Sequence, residues 1–383
     1  MERSGIIMRR ICYVTGTRAD YGLMQATLLQ IAAMPSVDLA IVVTGMHLSE
    51  SHGMTVNEIH ATGFRIAAEV PVLLQPATGA TMARNIGTMV TAFTDAFEAE
   101  RPDLVLLLGD RGEMLAGALA AIHLNIPVAH VHGGELSGTV DEPVRHAISK
   151  LSHIHFTSTV SARDRLVRMG ELEANVHVTG APGLDGLLDA PRAGRIEVAA
   201  LYGLDASRPI ALMVFHPVLQ EADRAEADAR AIMSALGEAG MQTIALMPNS
   251  DAGSYGVRQV LEDAMGTRGV SIHTHLARPH FLDAMSCVDV MIGNSSAGII
   301  ESASFGTPVI NIGRRQNLRD RNANVIDVAA ADAGLTSMLK ATTVKGRCSA
   351  TNIYGDGNAG MRIAGLLSSY DLSPSLLMKV NGY

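Results

Sequence analysis

Short apolar runs, often β-branched, alternate with longer segments of helical periodicity along most of this 383-residue chain. One helical segment repeats its apolar side chains at i, i+4 and i+7, at Met82, Ile86, Met89, Val90, Phe93 and Phe97. Residues 104–108 are apolar throughout, as in a strand buried on both faces of a sheet. Because helices connect successive parallel strands, the alternation predicts an α/β fold with doubly wound parallel sheets.

The alternation of expected strands and helices is interrupted once and then resumes, which predicts two similar domains. Expected strands of the first are residues 11–15, 39–43, 104–108, 126–131, 154–157 and 176–178. Expected strands of the second are residues 210–215, 243–247, 270–273, 288–292 and 309–312. Residues 190–207 contain Pro191, Gly194 and Gly203 and no strong strand, so we expect the linker there. The predicted domains are residues 1–189 and 190–358, with a helix in 359–383 that returns to the first domain.

Composition excludes several classes of partner. The net charge of −8 argues against nucleic acids and anionic membranes, and the lack of Trp argues against base-stacking surfaces. Cys12, Cys287 and Cys348 are widely spaced and odd in number, so they form neither a disulfide framework nor a metal cluster. No apolar run reaches membrane-spanning length, and no signal peptide is visible. We therefore expect a cytoplasmic protein.

A Gly-Asn-Ser-Ser turn at 293–296 follows an expected strand and opens an expected helix. Free backbone N–H groups and the hydroxyls of Ser295 and Ser296 suit a phosphate. Glu301 follows about two helical turns from the glycine, where its carboxylate could accept from a sugar hydroxyl. The turn indicates a nucleotide site, although an ordinary serine N-cap explains the turn alone equally well.

The first expected strand is followed by a second candidate anion site. Gly16 permits a tight turn and Arg18 stands where a helix begins, so Arg18 and the helix N-terminus could contact a phosphate. The alternative is an ordinary turn with a solvated arginine. The spacing is not Gly-x-Gly-x-x-Gly, so a dinucleotide fingerprint is not supported.

Ionisable groups follow two neighbouring strands of the first half. Asp110 and Arg111 end the most apolar strand, where such folds keep their chemistry, although Asp110 could instead cap a helix. Burial should raise the pKa of Asp110 and Arg111 should lower it; the sequence leaves the balance open. The next strand ends at His132, and Glu135 and Asp141 follow as acid/base candidates or solvated carboxylates.

A metal site is a weak alternative for this group. His130 and His132 alternate along the expected strand and share one face, without the helical His-Glu-x-x-His spacing. In the second half, His216 ends a strand, and Asn249 lies in a turn at 248–254 that resembles an anion site. His216 is a candidate general acid or phosphate donor, and otherwise a structural hydrogen-bond donor.

Taken together, these motifs resemble the hydrolysing UDP-N-acetylglucosamine 2-epimerases of sialic-acid and related nonulosonic-acid biosynthesis. The resemblance covers residues 9–328, and the order and number of motifs carry it. The matching segments are 14–21 (Val-Thr-Gly-Thr-Arg-Ala-Asp-Tyr), 43–47, 109–111 (Gly-Asp-Arg), 132–135 (His-Gly-Gly-Glu), 137–139, Asp141, 145–150, 216–218, 248–254, 294–296, Glu301, 306–313 and 315–316.

The resemblance implies a GT-B fold, in which two Rossmann-like domains hold the active site in the cleft between them. It implies conversion of UDP-N-acetylglucosamine and water to N-acetylmannosamine and UDP, with no redox cofactor and no essential metal. It also implies a homo-oligomer, a dimer or tetramer. The nucleotide contacts that it implies are Arg18, Arg111, His216, Asn249, the Leu276 backbone, Ser295, Ser296, Glu301 and Arg315.

The resemblance assigns acid/base roles to Asp110 and Asp141 and leaves one position open. Many members have Glu where this chain has His132, so either His132 or Glu135 does that work. The alternative reactions are hydrolysing epimerisation of a UDP- or GDP-linked 2,4-diacetamido-2,4,6-trideoxyglucose toward legionaminic-type acids, non-hydrolysing epimerisation, and GT-B glycosyl transfer. A further alternative is a catalytically silent nucleotide-sugar sensor.

Overall fold

A computed structural model describes residues 8–137, 140–189, 191–329 and 334–383. Its strands form two sheets in which every pairing is parallel. The seven-stranded sheet has the order β3-β2-β1-β4-β5-β6-β7, and the six-stranded sheet has the order β10-β9-β8-β11-β12-β13. The predicted fold class, two doubly wound parallel α/β domains, is therefore confirmed.

The first sheet consists of β1 (Arg9–Thr15), β2 (Val37–Thr44), β3 (Arg65–Val70), β4 (Leu104–Leu108), β5 (Val128–Val131), β6 (Ile154–Thr157) and β7 (Val176–Val178). The second consists of β8 (Ile210–Val214), β9 (Gln242–Leu246), β10 (Val270–His273), β11 (Val290–Gly293), β12 (Val309–Ile312) and β13 (Val325–Val328). Strand order reverses between β1 and β4 and between β8 and β11, and ligands bind at such reversals in open α/β sheets.

Strands β3 and β13 were not predicted from the sequence. Both are edge strands, and most of their residues are exposed or half-buried, so neither forms the apolar run that identifies a central strand. The structure also places a helix, Arg195–Leu201, inside the expected linker, of which Ala190 lies outside the described residues. Its Val198 and Ala199 pack in the core of the second half.

The helices are α1 (Arg18–Ala32), α2 (Val56–Ala61), α3 (Gly79–Glu100), α4 (Gly112–His123), α5 (Asp141–Leu151), α6 (Val160–Arg168), α7 (Arg195–Leu201), α8 (Ala225–Glu238), α9 (Ser254–Asp263), α10 (Arg278–Cys287), α11 (Ser296–Ile300), α12 (Leu335–Lys345), α13 (Ala359–Ser369) and α14 (Pro374–Leu377). In the described ranges, no helix is long and apolar enough to cross a membrane.

Helix α13 follows the second sheet in sequence but packs on the first half. Ile363, Ala364 and Leu367 are buried in the same apolar cluster as Leu28 of α1 and Tyr13 of β1. The chain thus passes between the halves twice, once before β8 and once before α13. The bounds proposed for the two domains stay a prediction.

The carboxyl ends of the two sheets face each other. Arg111, just after β4, lies 3.6 Å from Asp251, which follows β9. Glu135, after β5, lies 2.8 Å from Arg319, which follows β12. These contacts define a cleft between the halves, with loops from both strand-end edges as its walls.

Candidate functional site

The turn between β1 and α1 is built around a buried carboxylate. Asp20 accepts the backbone N–H groups of Gly16 at 3.1 Å and Thr17 at 2.8 Å, and it completes a capping box with Thr17. Burial raises the pKa of Asp20 to about 6, although the Thr15 hydroxyl opposes the rise. A Cβ at Gly16 would lie 2.7 Å from Glu113 Cγ, so glycine lets the turn approach α4 closely.

Arg18 is the first residue of α1, as predicted, and its side chain faces α2. Its Nε donates to Glu58 Oε1 at 2.7 Å, and His275 from the second half lies 3.9 Å from the same oxygen. Leu276, the next residue, is buried. Arg18 and Leu276 thus lie on the side of the cleft formed by α2 and the β10–α10 loop.

Asp110 is held by an arginine distant in sequence. Gly109 directly follows β4 with a φ of +84°, and His130 Nε2 donates to the Gly109 carbonyl at 2.7 Å. The Asp110 carboxylate pairs with Arg145 of α5, whose side chain is 1% exposed. The ion pair of Asp110 is thus with Arg145 and not with the adjacent Arg111. Asp110 is not the helix cap that the sequence left as an alternative, since Arg111 occupies the N-cap of α4.

Arg111 instead pairs with acids on both sides of the cleft. It bonds Glu113 at 3.2 Å and faces Asp251 of the second half at 3.6 Å. Burial alone would lower the pKa of Arg111, but Glu113 and Asp251 outweigh it and raise the pKa above its ordinary value. Arg111 is therefore a fixed cation at the strand-end edge.

His132 and Glu135 form a buried pair after β5. His132 Nδ1 lies 2.7 Å from Glu135 Oε1, which also accepts from Ser158 at 2.5 Å. Burial alone would raise the pKa of Glu135, but Arg319, His132 and Ser158 lower it to about 2. The other ring nitrogen of His132, Nε2, is buried without a hydrogen-bond partner in the described structure.

The expectation that His130 and His132 share one strand face was wrong. Strand β5 ends at Val131, and His132 has a φ of +64°, which turns its ring away from the strand pattern. His130 stays in the strand and its Nδ1 lies 3.0 Å from the Ser149 hydroxyl. Burial lowers the pKa of His130 to about 3, so this imidazole is neutral and structural. In the described part of the chain, no group of three His, Cys, Asp or Glu side chains could hold a metal ion.

Asp141 begins α5, and Arg145 follows one turn later on the same helix. Besides pairing with Asp110, Arg145 donates from Nη1 to the Glu135 carbonyl at 3.0 Å. Arg145 therefore connects the segment that follows β4 to the segment that follows β5. This role was not predicted from the sequence. The one-turn spacing between Asp141 and Arg145 was the sequence signal that could have indicated this role. Gly138 and Thr139 of the matched segment lie outside the described residues.

Hydrogen bonds within the second half hold both the backbone and the ring of His216. Its backbone N–H donates to Asn294 Oδ1 at 2.8 Å, and its Nδ1 accepts the Asn249 N–H at 3.2 Å. Burial lowers the pKa of His216 to about 3, helped by the charges of Arg315 and Arg111. The ring is therefore neutral, and because Nδ1 is an acceptor, the proton is on Nε2.

The turn after β11 has the predicted cap but a shorter helix. Ser295 is the N-cap of α11 and accepts the Ala297 N–H at 3.3 Å. Helix α11 spans only five residues, so Glu301 caps its end and does not follow two full turns. Glu301 pairs with Arg278, yet burial still raises the pKa of its carboxyl above the ordinary value.

Arg315 adds a further cation beside this turn. Its Nη1 donates to the Asn294 carbonyl at 3.1 Å. Burial lowers the pKa of Arg315, whereas the charges of Asp141 and Asp251 act to raise it, which places those carboxylates near the guanidinium. The structure thus brings cations and carboxylates of both halves to one cleft. Arg319 belongs to this set, and no sequence pattern distinguished it from neighbouring arginines.

A family model described as UDP-N-acetylglucosamine 2-epimerase matches residues 29–368. A Legionella pneumophila UDP-N,N'-diacetylbacillosamine 2-epimerase (hydrolyzing) is 49% identical over 98% of this chain and 100% of its own. A Campylobacter jejuni GDP/UDP-N,N'-diacetylbacillosamine 2-epimerase (hydrolyzing) is 32% identical over 83% of this chain and 84% of its own.

One solved structure illustrates the shared fold. The Neisseria meningitidis UDP-GlcNAc 2-epimerase bound to UDP-GlcNAc superposes with a TM-score of 0.77 at 18% identity, covering 94% of this chain and 99% of that one. This likeness agrees with the expected GT-B arrangement. On the extent of the family match and the identity to full-length relatives, the chain belongs to the UDP-N-acetylglucosamine 2-epimerase family.

Proposed function

We propose that this protein is a hydrolysing 2-epimerase whose substrate is UDP-2,4-diacetamido-2,4,6-trideoxyglucose (UDP-N,N'-diacetylbacillosamine). Water and this sugar nucleotide would give UDP and the free 2-epimeric, manno-configured sugar. The observation that carries the reaction type is the contact between the two strand-end edges, where Glu135, in the group with Asp110 and His132, lies 2.8 Å from Arg319 of the second half. The 49% identity to the Legionella enzyme so named supports the substrate and the hydrolytic outcome.

The reaction needs proton transfer on two faces of one carbon. The C2–H bond has no neighbouring carbonyl, so its proton is acidic enough only as the C1–O bond to the diphosphate breaks. A base removes that proton, the C–H electron pair forms the C1=C2 bond of a glycal, and UDP leaves with the C1–O pair. The C1=C2 electron pair then takes a proton from an acid on the opposite face of C2, while water bonds to C1 through its oxygen and gives one proton to a base.

The contacts around the first-half groups support an assignment of roles. Glu135 Oε1 lies 2.7 Å from His132 Nδ1 and accepts from Ser158, and Oε2 lies 2.8 Å from Arg319 in an ion pair without hydrogen-bond geometry. His132 Nε2 has neither a hydrogen bond nor an ion pair in the described structure. We assign proton transfer to His132 and orientation of its ring to Glu135. Asp110 and Asp141 are the carboxylates assigned to the other proton transfers.

The second half supplies stabilisation for the leaving diphosphate. His216 presents Nε2–H as a neutral donor, and Arg315 lies beside the Asn294 carbonyl. Arg111, from the first half, adds a cation that acids keep protonated. Positive charge and N–H donors placed where negative charge develops lower the barrier to departure of UDP.

UDP-N-acetylglucosamine is the second candidate substrate. The family description and the motifs of the sequence favour it. A sialic-type pathway would follow from that substrate, and a legionaminic-type pathway from the diacetamido sugar. The uridine nucleotide is preferred over GDP because the Legionella relative is named for UDP alone.

Proton NMR in deuterated water tests the proposal with both sugar nucleotides in parallel. The expected result is free UDP and a manno sugar with one deuterium at C2, formed faster from the diacetamido substrate. Asp110→Asn should abolish this turnover, and Glu98→Gln on the exposed face of α3 should leave it unchanged. A nucleotide-linked manno product would overturn the hydrolytic reaction, and turnover only with an added acceptor would favour glycosyl transfer.

A further inference from the structure

The loop between β12 and β13 crosses the cleft. We call residues 314–321 the crossing loop. Arg319 is 8% exposed at its side chain, and its Nη1 lies 2.8 Å from Glu135 Oε2. The next residue, Asp320, accepts from the hydroxyls of Thr159 at 2.9 Å and Ser161 at 2.5 Å, at the start of α6. Two consecutive side chains of the second half thus bind the first.

The crossing loop is held to the second half by its own contacts. Arg321 donates to the carbonyls of Arg319 at 2.8 Å and Gln316 at 2.6 Å, and it pairs with Asp327 of β13 at 2.9 Å. Tyr354 donates to the Asp320 carbonyl at 2.7 Å. The crossing loop is therefore bonded to both halves, to the second through Arg321 and to the first through Asp320.

Glu135 draws its partners from both halves. The oxygen Oε1 faces His132 and Ser158, which belong to the first half, and Oε2 faces Arg319. Glu135 itself is 4% exposed. A buried carboxylate that loses its cation must take a proton, rotate or admit water, and each of these changes alters its bond to His132.

We infer that Arg319 is a positioning residue that holds the Glu135 carboxylate, and through it the His132 ring, from the opposite half of the cleft. The inference rests on the proposed function, since it concerns the proton-transferring pair of that reaction.

Several charged or titratable groups share this part of the cleft. Arg145 reaches the Glu135 carbonyl, Arg165 contacts the Gly134 carbonyl, and His130, Tyr354 and Glu301 interact electrostatically with the pair. All but Tyr354 and Glu301 belong to the first half, as the pair does. Arg319 is the cation that the second half brings into direct contact with the Glu135 carboxylate.

Arg319→Met tests the inference when it is combined with Glu135→Gln. Arg319→Met alone should lower kcat roughly 100-fold, the scale of one proton-transferring group, while the Kd for UDP changes less than about 3-fold. In the Glu135→Gln background, Arg319→Met should lower kcat by no more than about 2-fold, because the carboxylate that Arg319 positions is already absent. Arg319→Lys should recover part of kcat, and exposed Arg314→Met is the matched control, with activity unchanged.

If Arg319 contacted the nucleotide directly, the result would be different. If Arg319→Met weakened UDP binding as much as it lowered kcat, or if its effect multiplied with that of Glu135→Gln, the inference would be wrong. Hydrogen exchange of residues 132–136 needs no turnover and should rise in Arg319→Met; unchanged exchange would also overturn it. Wild-type turnover in the same assay reports separately on the proposed function.

Discussion

Replacing Glu135 by Gln should produce a stability loss that depends on pH in a predictable direction. The pKa of Glu135 is lowered from 4.5 to about 2, against the effect of burial, by Arg319, His132 and Ser158. This difference corresponds to about 3 kcal/mol of folding free energy at neutral pH. Glutamine keeps the shape and an acceptor oxygen but leaves Arg319 buried without its carboxylate, so a loss of about 3 kcal/mol is expected at pH 7.

The sign of the pH effect follows from the lowered pKa. Above pH 4.5 the carboxylate is ionised in both states, and the native state gains the whole stabilisation. As the pH falls from 4.5 towards 2, the unfolded chain takes up the proton first and the stabilisation is lost. At pH 4 the wild type has lost about 1 kcal/mol of it, whereas Glu135→Gln has no carboxylate to lose.

Scanning calorimetry of wild type and Glu135→Gln between pH 7 and pH 4 measures the effect. The gap between their Tm values should narrow by roughly 1 °C over this range, because the entropy of unfolding of a chain this long is large. Neutral buried histidines such as His130 and His216 destabilise both proteins in acid, so their effect cancels in the difference. Glu262 is exposed, so Glu262→Gln is the control, and its Tm should follow the wild-type Tm over the whole pH range. Parallel Tm curves for wild type and Glu135→Gln would refute the charge pairing.

Two further substitutions test packing and buried charge. Gly293→Ala should cost at least about 2 kcal/mol, because φ is +131° and a Cβ would lie 2.1 Å from the Val214 carbonyl oxygen. Lys379→Met should cost about 1–3 kcal/mol, because Lys379 pairs with buried Glu171 at 2.7 Å and donates to three carbonyls at the end of α5. Calorimetric Tm values measure both.

Matched controls separate these causes from general effects of substitution. Gly240 also has a positive φ, of +73°, but no atom lies within 4 Å of a Cβ there. Gly240→Ala should therefore cost less than Gly293→Ala, and equal losses would contradict the clash. Lys345 is exposed at the end of α12, so Lys345→Met should leave the Tm unchanged.

The sequence predicted the central strands because burial on both faces makes them apolar throughout. Strands β3 and β13 were missed because an edge position leaves Arg65 and Asp327 on partly exposed strands. The predicted positions of Asp110, His132 and His216 just after strands also agree with the structure, while their roles stay a prediction. Five of the eleven expected strands have the predicted bounds, and the other six shift by one or two residues at an end, as for β5, which begins at Val128.

The partners of those residues could not be predicted. Asp110 pairs with Arg145, 35 positions away, and not with the adjacent Arg111. Glu135 pairs with Arg319 of the other half. Such pairings depend on how two sheets and their crossover helices are oriented in space, and local periodicity carries no information about that orientation.

The return of α13 to the first half has a consequence for synthesis on the ribosome. Residues 1–189 are synthesised long before Ile363 and Leu367. The apolar side of α1 around Leu28 therefore stays exposed to solvent while the residues of the second sheet are synthesised. The nascent first half therefore has an incomplete core for about half of translation. A stable excised fragment of this half would need polar replacements on that side of α1, or α13 supplied as a separate peptide.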